Sequence, residues 1–256
     1  MPLIDLNSPA SWPRPLQEFL DRHERLFADW EHRTETVSPG EYDLAIMALG
    51  VILRNYNLRG WHCTRLTDAE VHAIRGTGMV LPDREILGRR IDVLCDAGAI
   101  DSTVAVVLKA RNQAGEQGRR GMIWFCFYPP RHAGESGIHR FFRYWGGEAL
   151  YNSHEVDTVT APVLARIGQP CLVEADVPIA SLYLGFLPTF IVAKHLHTRG
   201  VKVSRASEVR EHVQWDGYAV VPVSSLQIRR IIRFLDPEFA ELTGHMDWHS
   251  RLNEGP

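Results

Sequence analysis

Four short runs rich in aromatic and β-branched residues, at 58–65, 121–128, 170–179 and 217–223, are set apart by long helix-patterned connections. Short strands separated by helices in this way predict an α+β fold. The helical spans carry their own punctuation. In "SWPRPLQEFLDRHERLFADWEHR", Leu16, Phe19, Leu20, Leu26, Phe27 and Trp30 recur at helical spacing. The next span, "SPGEYDLAIMALGVILRNY", opens on a capping box of Ser38 and Glu41 with Pro39 at the first helical position. Thr67 and Glu70 form a second capping box, so a helix starts directly after the strand at 58–65 and ends near Gly76–Gly78.

Further helices are predicted over "DREILGRRIDVLCDAG", "SGIHRFFRYW" and "TAPVLARIG". "DSTVAVVLKARNQAG" reads as a helix, though its valines also suit a strand. "LYLGFLPTFIVAKHLHTRG" is expected to be helical, with Pro188 kinking or dividing it. "SSLQIRRIIRFL" places Ile228, Ile231, Ile232 and Leu235 on one helical face and is expected to be a helix.

Composition bounds the function. The net charge of −3 gives no global attraction for phosphate backbones or anionic membranes. No apolar run reaches the ~18 residues of a membrane span, and "MPLIDLNSPASWPRPLQ" lacks the basic and apolar regions of a signal peptide. Cys63, Cys95, Cys126 and Cys171 stand far apart with no C-x-x-C, which favours free thiols in a reducing cytoplasm. A membrane is therefore not an expected partner. Metal chemistry is not expected either. The histidines include "HLH" at His195 and His197 and "HMDWH" at His245 and His249; the latter has i, i+4 spacing but lies in a polar C-terminal stretch without the glutamate of an H-E-x-x-H motif. Neither a nucleophile elbow, a Walker loop nor a strand-linked G-x-G-x-x-G occurs.

The strand at 58–65 reads Trp61-His62-Cys63-Thr64-Arg65, followed by Ile74 and then Gly78-Met79. "GMIWF" at Gly121–Phe125, "CLVEADV" and "GYAVVPVSSLQIRRIIRF" come after it in that order. Together these segments resemble the ADP-ribosyltransferase superfamily, on its poly(ADP-ribose) polymerase and diphtheria-toxin side. There a "W-H-G-[ST]-R" type strand, an aromatic "G-I-Y-F" type strand, an acidic-plus-valine strand and an "E-Y-I-V-Y" strand occur in the same order. The resemblance spans about residues 58–235. It implies a split β-sheet, with an N-terminal helical extension at 1–57, an NAD-binding domain at 58–240 and a C-terminal tail at 241–256.

It also implies roles. His62 would bond the adenine-side ribose, the backbone of Cys63 would pair with the nicotinamide amide, and Thr64 would supply a strand hydroxyl. A cysteine in place of the family's glycine requires its side chain to point away from the nicotinamide ring. Trp124 and Phe125 match the aromatic strand, and Tyr144, Trp145 and Tyr151 are candidates for a second wall against the flat, cationic ring. The bland alternatives are a satisfied strand histidine and ordinary aromatic core.

The implied reaction breaks the bond between nicotinamide and ribose, and a carboxylate would stabilise the developing positive charge. The family's glutamate position falls on Gly217, a departure from the pattern. Asp216 could replace it through a bulge, because a one-residue slip otherwise turns a side chain to the opposite face. Glu148, after Gly146-Gly147, could enter from another element, and Glu174 shares its face with Asp176. The expectation is an NAD-dependent mono-ADP-ribosyltransferase, of the kind used as a bacterial toxin or anti-phage effector, with an antitoxin or inhibitor protein as a possible partner. The acceptor would be a protein, or a nucleic acid approached along Arg119, Arg120, Arg131, Arg140 and Arg143. The alternative is a degenerate fold that binds NAD or a partner without catalysis. The related RNA 2′-phosphotransferases need further ordered arginines and a second histidine that cannot be placed here.

Overall fold

The computed structural model describes residues 1–32, 37–132, 135–184, 187–203 and 216–244. Its centre is strand β2 (Asn57–Leu66), whose ten residues all pair antiparallel with β4 (Gln169–Pro178), from Asn57↔Pro178 to Leu66↔Gln169. On the other flank β2 meets β3 (Ile123–Cys126) at one registered pair, Trp61↔Cys126. β3 pairs with β6 (Asp216–Ala219), and β6 with β5 (Leu182–Tyr183). β7 (Ile228–Arg233) closes the β4 edge, and β1 (Leu3–Ile4) runs parallel to the start of β2. The result is an α+β fold around one mostly antiparallel seven-stranded sheet, in the order β5-β6-β3-β2-β4-β7 with β1 branching from β2. All four strands expected from sequence lie in it.

Alternation along β2 divides the packing. Leu58, Gly60, His62, Thr64 and Leu66 share one face, and Arg59, Trp61, Cys63 and Arg65 the other. The first face is covered by the largest core. There Leu16, Leu20 and Phe27 of α1 (Arg14–Glu31), Leu49 and Leu53 of α2 (Pro39–Leu53), and Phe190 and Ile191 of α9 (Leu187–Thr198) meet Phe125, Val173, Val177 and Ala219. Residues 1–32 and 37–57 thus share one core and one sheet with the strands and helices beyond residue 57. The second face takes Ile138 and Phe142 of α6 (Glu135–Arg143) and Phe239 of α10 (Pro237–Thr243) against Trp61, Cys63, Leu172 and Ile232. A separate cluster gathers α4 (Arg84–Asp96), α5 (Ser102–Ala110), α7 (Glu148–His154) and α8 (Thr160–Arg166) around Leu87, Ile91, Leu108, Trp145, Leu150 and Leu164.

Local chemistry explains the helix starts. Ser38 Oγ accepts from Glu41 N at 3.2 Å while the Glu41 carboxylate accepts from Ser38 N, also at 3.2 Å. Thr67 and Glu70 repeat this at the head of α3 (Asp68–Thr77), which ends on Gly78 at φ 89°. Each cap contributes ~1 kcal/mol. A Cβ on Gly78 would fall 2.1 Å from the Val223 carbonyl, so the close pairing of Met79 with Val223 needs glycine.

Three expectations are corrected. Residues 224–235 are not a helix: Ser225–Gln227 is one 3-10 turn, and β7 comes directly after it. Ile231 and Ile232 are buried on opposite faces of the sheet, a β-branched pair that strand pairing outweighs helical spacing to use. Pro188 stands in the first turn of α9, where its missing N–H costs nothing, and neither kinks nor divides a longer helix. The hydrogen-bonded path across the strands is continuous, so the sheet is not divided in two.

Acid lability follows from the interior. His154 is fully buried, with Nδ1 2.9 Å from Thr160 Oγ1 and Nε2 without a hydrogen-bond partner among the described residues. Burial, aided by Arg111 and opposed by Asp157, holds its pKa below the ordinary value; burial also lowers His62 and His195. The unfolded chain therefore takes up protons that the folded one refuses, so stability falls as pH drops below about 6.5. The thermal midpoint should be lower at about pH 5 than at about pH 7.5, and His154→Gln should flatten that slope. A midpoint that is level across this range would contradict neutral burial.

Candidate functional site

The single Trp61↔Cys126 pair leaves β2 and β3 parting beyond it, and a side chain fills the gap. His62 Nδ1 lies 2.8 Å from the Trp124 carbonyl oxygen. A carbonyl only accepts, so Nδ1 carries the proton and Nε2 keeps its lone pair. Burial holds the ring neutral, against the Trp124 bond and with help from the nearby Arg90 cation. Among the described residues Nε2 has no hydrogen-bond partner. Phe125 braces the ring edge-on, with centroids 6.0 Å apart. The outcome is a fixed, neutral imidazole that offers one acceptor.

The neighbours of His62 follow the alternation. Cys63 turns to the opposite face, beside Cys126, and burial pushes its thiol well up, so it is an uncharged packing group. All four cysteines are free. Thr64 lies on the face of His62 and is half-buried, with Oγ1 3.4 Å from the Arg65 carbonyl. Trp124 is 39% exposed and its indole donates to the Gly118 carbonyl at 3.3 Å. Its ring meets Tyr218 at 4.8 Å, and Tyr218 stacks on Tyr183 at 5.2 Å and 16°. These cross-strand partners form an aromatic row over β3, β6 and β5.

The second wall is corrected. Tyr144, Trp145 and Tyr151 are at most 5% exposed and belong to the core between α4, α5, α7 and α8. Trp145 donates to Glu70 at 3.0 Å beneath the Arg90 guanidinium, and Arg140 covers Tyr151. Phe125 is likewise core, at 1% exposed. Gly146 serves packing: a Cβ there would lie 2.5 Å from Leu150 Cδ1.

The acids separate clearly. β3 and β6 pair without a bulge, from Ile123↔Ala219 to Cys126↔Asp216, so Asp216 is not re-aimed. It shares a face with Trp124 and Tyr218, opposite His62, and burial raises its pKa. Gly217 is on the His62 face, but a Cβ there would lie 2.4 Å from Leu184 Cδ2 and 3.0 Å from the Tyr183 carbonyl. Leu184 occupies the space an acid would need. Glu174 is buried, 3.3 Å from Arg59 and 2.6 Å from Arg230, and so is committed to ion pairs.

Glu148 is placed differently. It opens α7 after Gly147 (φ 60°), half-exposed, with Oε2 3.5 Å from Arg119 Nε. Arg119 follows Gly118, whose carbonyl holds the Trp124 indole, so the 116–120 turn joins Glu148 to the Trp124 side of the parting. The other arginines are largely engaged. Arg140 pairs with Glu155, Arg131 donates to the Glu241 carbonyl, and Arg143 lies over Tyr144. Three of the five named arginines are thus committed to other contacts.

Sequence reasoning missed Arg90, whose only signal was its charge, and named Arg119 only as part of a basic path rather than as the partner of Glu148. His245 and His249 lie outside the described residues. No helix among the described residues is long and apolar enough to cross a membrane. No protein-family model, curated protein or solved structure matches this chain.

Proposed function

We propose that this chain binds NAD where β2 and β3 part and acts as a mono-ADP-ribosyltransferase on a protein or nucleic-acid acceptor. The carrying observation is the His62 ring, pinned through Nδ1 to the Trp124 carbonyl with Nε2 left to accept. A ribose hydroxyl is the complementary donor. Further support comes from the four matched segments, which lie side by side in the order β6-β3-β2-β4.

In the reaction the bond between ribose C1 and the nicotinamide nitrogen breaks, and its electron pair leaves with neutral nicotinamide. The acceptor's nucleophile then bonds C1 and gives up its proton. Glu148, half-exposed at the head of α7, is the acid left for stabilising the charge at C1, because Asp216 lies on the face opposite His62 and Glu174 is committed to ion pairs. Glu148→Gln should lower nicotinamide release by about 100-fold, whereas Asp216→Asn, on the face opposite His62, should leave it within about twofold. Equal small losses would remove both acids from the mechanism.

A second reading has its own observation. Leu184 fills the position of the family's glutamate, which favours a module that binds NAD or a partner without turning NAD over. Incubation with NAD labelled in its nicotinamide decides between the two: release supports the transferase, and saturable binding without release supports the module. Mass spectrometry of cell extract for added ADP-ribose on proteins and nucleic acids would identify the acceptor.

A further inference from the structure

Asp21 and Glu24 stand at i and i+3 on α1, so their carboxylates share a helix face. That face turns toward α9, where His195 is only 6% exposed. Among the described residues His195 Nε2 makes no hydrogen bond, yet it is aimed at both acids, 3.4 Å from Glu24 Oε2 and 3.8 Å from Asp21 Oδ1. The three ligand atoms lie within 4.8 Å of one another. These separations are long for N–H···O bonds, which cluster near 2.9–3.0 Å. They suit a shared ion: donors about 2.05 Å from a tetrahedral metal stand about 3.3 Å apart.

We propose that Asp21, Glu24 and His195 bind a divalent transition-metal cation of the zinc class, which fastens α1 to α9. One imidazole nitrogen and two carboxylates match zinc or cobalt, whereas magnesium and calcium favour all-oxygen shells. Arg199, one turn beyond His195, is the built-in competitor. Its guanidinium pairs with Asp21, and its Nε is 3.7 Å from Glu24 Oε2. Metal entry at the acids displaces this cation toward solvent, where it is already half-exposed.

The test is equilibrium dialysis of the full chain against Zn²⁺ in excess Mg²⁺, with Co²⁺ absorption as the spectroscopic readout. One Zn²⁺ per chain is expected, and Co²⁺ should give visible d–d bands. Asp21→Asn and His195→Ala should each weaken binding by about 100-fold. Arg199→Gln should tighten it about 10-fold by removing the competing charge. Asp21 is half-exposed, so its variant keeps the fold even where His195→Ala does not. Zinc held equally by the parent and Asp21→Asn, or no stoichiometric binding by the parent, would overturn the assignment.

Discussion

Arg65→Met is expected to lower stability by about 3–5 kcal/mol, a fall in thermal midpoint on the order of 10 °C. Arg65 is 7% exposed, and its guanidinium donates to three carbonyls: Ile167 at 3.0 Å, Phe142 at 2.9 Å and Gly168 at 2.8 Å. Phe142 lies in the last turn of α6, and Ile167 is the C-cap of α8. One cation therefore closes the carbonyl ends of two helices and sits at the negative pole of both. Burial pulls its pKa down to about 10, which leaves it charged at neutral pH. Methionine matches the bulk but donates nothing, so three carbonyls lose their partner. Urea unfolding reads the effect directly; a change below ~1 kcal/mol would mean that water replaces the guanidinium at no cost.

His62→Ala is expected to weaken NAD binding by about 10- to 100-fold, or about 1.4–2.7 kcal/mol. Two losses combine: the acceptor at Nε2 and the bridge from Nδ1 to the Trp124 carbonyl. The fold should persist, because His62 is half-buried and Val173 opposite it keeps its β-ladder. Binding and turnover should fall together if the ribose is held alike in substrate and transition state. A variant that binds NAD like the parent, with an unchanged midpoint, would make His62 a strand-bridging residue only.

What the sequence made legible was local. Both capping boxes appear at Ser38–Glu41 and Thr67–Glu70 because a cap is written within four residues. The strand at 57–66 shows itself by composition, and the valine-rich 102–110 segment resolved as a helix behind the Asp101 cap. Ile228–Arg233 was not legible, since isoleucines at these positions suit a helix face and a two-sided strand equally, and pairing with β4 decides. Tyr144, Trp145 and Tyr151 failed for a related reason. An aromatic cluster beside two glycines reads alike whether it lines a cleft or fills a core. Arg65, and the trio of Asp21, Glu24 and His195, act across distant segments, so no spacing rule could find them.

The most direct measurement is NMR of the His62 imidazole nitrogens as NAD is added to the full chain. Nδ1 should remain protonated and bonded to the Trp124 carbonyl, while the Nε2 resonance should move in a saturable way as a ribose hydroxyl donates to it. An Nε2 signal that ignores saturating NAD, or a ring whose proton rests on Nε2 in the free protein, would contradict the proposed grip.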